Sequence, residues 1–70
     1  MQKPYAPHQQ RVIEEAAELR EKVTKLKAFI DHSVNFDALG SIDQALLISQ
    51  WAAMTQYLGI LELRIARFDK

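Results

Sequence analysis

Cysteine is missing altogether from the 70 residues, so neither disulfide staples nor thiolate metal ligands are available. Two histidines are too few for a metal site of their own. Glycine and proline are scarce, two of each in a chain 49% hydrophobic, which excludes a linker or a disordered tail and points to helix. Charge of one sign is lacking too: nine basic and nine acidic residues cancel. A protein devoted to gripping a nucleic acid duplex carries a basic excess, and no helical pattern here has a continuous basic face. The first eight residues, Met1 to His8, hold no apolar run of the kind a secretion signal needs, so the expected location is a cytoplasm. One domain fills this length. A solitary chain of this size hides only roughly 60% of its unfolded surface.

What is present is helical periodicity. Pro7 suits a first helical turn, where its missing N–H needs no partner. From there Val12, Ala16, Leu19, Val23, Leu26 and Ile30 repeat in steps of four and three, a seam widened by Ile13 and Phe29. Acidic Glu14, Glu15 and Glu18 come early and basic Lys22, Lys25 and Lys27 late, as the helix dipole favours, with His32 near the end. Glu18 with Lys22 and Glu21 with Lys25 are acid-first i,i+4 pairs. The pattern fails between Asp31 and Ser41, where Val34, Phe36 and Leu39 are expected to tuck under the connection, with room for a short helical turn around Phe36 to Leu39. Ser41-Ile-Asp-Gln44 reads as a capping box, Ser41 as N-cap and Gln44 reaching back. A second seam follows: Leu47, Trp51, Met54, Leu58, Leu61, Ile65 and Phe68.

The expected fold is therefore all-α, an antiparallel two-helix hairpin with a short N-terminal arm. The arm spans 1–6, helix one 7–32, the connection 33–40 and helix two 41–68.

Helix two is too apolar for a hairpin alone. No charge occurs from Gln44 to Leu61. Beside the seam runs a second stripe, Leu46, Ala53, Tyr57 and Ile60, and on the other flank a ridge of small residues, Ala52, Thr55, Gly59 and Ala66. A mid-helix glycine costs about 1 kcal/mol against alanine, so Gly59 implies a close neighbour. Gln44, Ser49, Gln50, Thr55 and Gln56 interrupt the run and argue against a membrane span. A second copy of the chain is the simplest cover, and a homo-oligomer is expected, with Leu46, Ala52, Ala53, Thr55, Tyr57, Gly59 and Ile60 at its interface.

No phosphate loop, nucleophile motif or paired metal-ligand spacing occurs, and the Glu14, Glu15, Glu18, Glu21 group reads as a solvated face. The chain is not expected to be an enzyme, to hold a metal or to need a cofactor. Trp51 and Met54, in mid-seam, read as core.

Tyr5 and His8 continue the first seam backward, and antiparallel packing sets them beside Arg64, Arg67, Phe68 and Lys70. In one reading Tyr5 and His8 cap the core while the arginines pair with Glu14, Glu15 and Glu62. In the other, Lys3, Tyr5, His8, Gln9, Arg11, Arg64 and Arg67 form a ligand site, with rings for stacking and guanidinium forks for phosphates. The second apolar stripe, around Leu46, Tyr57 and Ile60, offers a different surface, suited to a host protein.

The string from Pro7 to Glu15 (Pro-His-Gln-Gln-Arg-Val-Ile-Glu-Glu), with Leu19 and the run Lys25 to Ile30, resembles a family of very small tailed-phage proteins described as relatives of a crAss-like phage protein. The likeness extends more loosely through Gln44 to Leu47 and through Met54, Tyr57, Leu61, Arg64, Ile65 and Phe68. It implies a phage origin and an accessory role in the infected host's cytoplasm. In architecture the chain is similar to phage sponge proteins, which sequester cyclic nucleotides or ADP-ribose-type signals of CBASS and Thoeris immunity. That analogy makes a nucleotide-derived signal the expected ligand and an inhibitor or adaptor of the anti-CRISPR or anti-restriction type the alternative.

Overall fold

The computed structural model describes residues 4–68, and among these all regular structure is helical. Three helices follow one another: α1 (Pro7–His32), α2 (Val34–Asp37) and α3 (Ser41–Ala66). The two long ones lie side by side in a rod of 50 × 18 × 15 Å.

Pro7 opens α1 as expected, after an extended Ala6. The N–H of Ala6 donates to Gln9 Oε1 at 2.9 Å, so a glutamine at the third helical position satisfies the backbone where the chain enters the helix. At the other end Ser33 serves both neighbours. Its N–H closes α1 on Phe29 O at 3.2 Å. Its hydroxyl accepts from the N–H of Asn35 at 3.1 Å and caps the single turn of α2.

The capping box expected over Ser41–Gln44 does not form. Gly40, in an extended conformation, is the N-cap of α3, and Ser41 is already helical. Gln44 instead turns to α2, where its Nε2 donates to Phe36 O at 2.9 Å. That carbonyl also accepts the N–H of Leu39 at 3.0 Å, so Gln44 is its second donor and ties the start of α3 to α2. Helix two also stops short of 68. Arg67 and Phe68 continue as a tightened turn, their N–H groups bonding Arg64 O at 3.1 Å and Ile65 O at 3.0 Å.

Both seams face inward. Val12, Ala16, Leu58 and Leu61 are buried and form the core, with Leu19, Val23, Ile65 and Phe68 packed against it. Edge-to-face aromatic pairs close the two ends, Tyr5 with Phe68 and Phe29 with Phe36, each with centroids 6.0 Å apart. Of the three connection residues expected to tuck in, Phe36 is buried and Leu39 half-buried. Val34, the first residue of α2, does not tuck in and is 78% exposed.

Across the seam Arg20 Nη2 meets Glu62 Oε2 at 2.9 Å. Along α1 the Glu21–Lys25 pair forms at 2.8 Å, while Glu18 and Lys22 stay beyond ion-pair distance.

Candidate functional site

Chain reversal gathers part of the expected ligand site at the open end. Tyr5 sits with its ring against Phe68, which holds the segment before α1 onto the turn that follows α3. This is a core-capping role, and Tyr5 is half-buried in it. Gln9 is spent on the Ala6 N–H. His8, Arg11, Arg64 and Arg67 are exposed, and none of the three arginines lies within ion-pair distance of a carboxylate among the described residues. The pairing of these arginines with Glu14, Glu15 and Glu62 does not occur. Glu14 accepts from Gln10 Nε2 at 3.2 Å, Glu15 takes the Tyr57 hydroxyl and Glu62 takes Arg20. Lys3 and Lys70 lie outside the described residues.

Tyr57 is the residue of the second stripe whose setting the periodicity did not reveal. Its hydroxyl donates to Glu15 Oε2 across the helix pair. That hydrogen bond, with burial and the carboxylate charge, raises the phenol above its ordinary value, against the opposing charge of Arg64.

The outer face of α3 stands open. Leu46 is 62% exposed, Ile60 48%, Tyr57 42% and Leu63 70%, while Ala52, Ala53 and Thr55 are also exposed. Ile42, Ile48 and Leu63 extend the apolar surface beyond the expected stripe. Gly59 is flanked by open space: a Cβ built there meets nothing within 4 Å. A groove of about 510 Å³ runs along this face between Trp51 and Leu63, floored by Ala52, Thr55 and Gly59. Nothing among the described residues requires the glycine. No helix among the described residues is long and apolar enough to cross a membrane.

Around the edge of α3 lies a second groove, about 400 Å³, between α1 and α3. Lys27 holds its ammonium 5.5 Å from the centroid of the Trp51 ring, within cation–π range, and also pairs with Asp31. Val23, Thr24, Ala28, His32 and Thr55 complete the lining. Trp51, expected in the core, is only half-buried, with Thr24, Lys27 and Asp31 lining the same groove.

Compared with known proteins, the chain matches the Sequestin family over residues 6–67. It is 39% identical over 61 residues to a 7.5 kDa protein from the denB–rIIB intergenic region of Enterobacteria phage T4, a match covering 87% of this chain and 94% of that one. No solved structure matches. The aligned span runs from the arm through both long helices, so the hairpin as a whole is what is shared. The chain belongs to the Sequestin family and is a relative of a small phage protein.

Proposed function

We propose that this protein binds and holds a nucleotide-derived immune signal in the cytoplasm of an infected bacterium, as a homo-oligomer and without making or breaking a bond. The observation that carries the reading is membership of the Sequestin family across nearly the whole chain, a family named for sequestration, together with a phage relative. A sponge needs no catalytic group; it needs affinity and numbers. Affinity would come from the cations of the open end, Arg11, Arg64 and Arg67, which meet phosphates by charge-assisted forked hydrogen bonds, and from ring stacking on Tyr5. The signal is of the cyclic-oligonucleotide or ADP-ribose type. The crAss-like half of the resemblance rests on the sequence strings alone.

The open face of α3 supports the oligomer in this reading. A rod with five buried side chains among its described residues and an open apolar face is under-covered, and a second helix laid on Ala52, Thr55 and Gly59 covers it. Calorimetry against cyclic oligonucleotides and ADP-ribose isomers tests the binding. Tight binding with the ligand recovered intact is expected, and Tyr5→Ala and Arg11→Ala should each abolish it while the oligomer persists. Absence of heat with every probe overturns the reading.

The exposure of Leu46, Tyr57 and Ile60 favours a second reading, in which the same stripe docks on a host protein. The two part on whether the homo-oligomer covers the stripe. Protection of these residues from surface labelling in the pure protein speaks for self-association, and persistent labelling for a host partner.

A further inference from the structure

Trp51 carries a polar atom that the hairpin leaves without a partner. Its indole Nε1 is shielded from solvent, and no acceptor lies within hydrogen-bond reach. A donor taken out of water and left unpaired is costly, and native proteins supply it with an acceptor. The groove beside it is built of complementary groups. Lys27 brings a cation over the ring face, and Asp31 brings a carboxylate. The hydroxyls of Thr24 and Thr55 turn their hydrogens back onto their own helices, donating to Arg20 O at 2.9 Å and Trp51 O at 2.8 Å. Each therefore lines the groove with acceptor lone pairs. A volume of about 400 Å³ falls at the lower end of small-molecule sites.

We infer that the groove between α1 and α3 at Trp51 is a nucleotide-contacting subsite separate from the open end. An anionic phosphate draws Lys27 from Asp31, and the released carboxylate accepts a ribose hydroxyl. The indole N–H donates to a carbonyl or ring nitrogen of the base. Thr24 and Thr55 accept from amino or hydroxyl groups, and the ring face vacated by Lys27 is open to stacking. A purely apolar occupant would leave the indole N–H unanswered and cover the Lys27–Asp31 pair without engaging it. The inference rests on the reading of the protein as a holder of nucleotide signals and specifies where such a signal is touched.

Trp51 is the chain's single tryptophan, so its emission reports this groove. Cyclic di-AMP, cyclic GMP–AMP and ADP-ribose are titrated into the full chain with heat and emission followed together. The probe that gives heat is expected to change the emission, and Trp51→Phe and Lys27→Gln are each expected to weaken it about tenfold with circular dichroism unchanged. Heat without an emission change, and with affinity unaltered in both variants, overturns the subsite and leaves sequestration standing. No heat with any probe overturns both. If Trp51→Phe changes the oligomer mass but not the affinity, the acceptor comes from a second copy and the subsite is refuted. Should Trp51→Phe fail to fold, Lys27→Gln, on an exposed side chain, decides alone: unchanged affinity refutes the subsite.

Discussion

The phenol of Tyr57 on α3 donates its hydrogen bond to the carboxylate of Glu15 on α1, joining positions 42 residues apart. The folded chain thereby holds the phenolic proton more tightly than the unfolded chain does. The stabilisation is fully present below the ordinary tyrosine value of about 10 and is lost as pH rises through the raised folded value. Melting temperature compared between the protein and Tyr57→Phe should differ at neutral pH and converge in strong alkali. A difference that does not change with pH would remove the pair from the stability of the hairpin.

Leu61 has no solvent exposure and sits at the centre of the core with Val12, Ala16 and Leu58. Truncation to alanine leaves a cavity that two helices cannot close from both sides. Leu61→Ala is expected to cost about 2–5 kcal/mol, read as a fall in the urea midpoint. A loss below the cost of a surface substitution would place the core elsewhere.

Gln44 and Ser41 offer a paired test of how α3 begins. Gln44→Ala removes the donor to Phe36 O and is expected to cost about 1 kcal/mol. Ser41→Ala should be nearly neutral, because Ser41 is helical and makes no capping bond. The reverse order in urea unfolding would restore Ser41 as the cap, since alanine at a true N-cap typically costs about 1 kcal/mol.

Gly59→Ala separates the chain from its assembly. A methyl group there meets nothing in the chain, so helix propensity alone should stabilise the hairpin by about 1 kcal/mol. If a second copy lies on the small-residue ridge, the same methyl obstructs it. The expected outcome is undiminished helicity with a weakened oligomer, seen by circular dichroism and sedimentation. An oligomer of unchanged strength would move the interface off Gly59.

The hairpin was legible because both seams are strictly periodic. Every residue from Val12 to Ile30 and from Leu47 to Phe68 in those seams is buried or half-buried. The start of α3 was not legible, because Gln44 bonds a carbonyl eight positions back in α2, and local spacing carries no sign of that. At the open end the placing of Tyr5 beside Phe68 was legible from antiparallel packing, whereas the arginine pairing that went with the core-capping reading was not, because those carboxylates are engaged by Gln10, Tyr57 and Arg20. Trp51 was hidden by its place in the seam. An indole is wider than the seam, so its ring packs inward while its edge reaches the groove where Lys27 and Thr24 stand, and one-dimensional periodicity does not distinguish the two sides. Kinship with small phage proteins was readable in the string around His8 to Val12, within the matched span, while the family that matches is Sequestin and not the crAss-like one the string suggested.

A native mass spectrum of the protein mixed with cyclic GMP–AMP, cyclic di-AMP and ADP-ribose tests oligomer and ligand together. A defined multiple of the 8.1 kDa chain carrying the added mass of one intact probe per site is expected. A single 8.1 kDa chain with no added mass would contradict both the assembly and the sequestration.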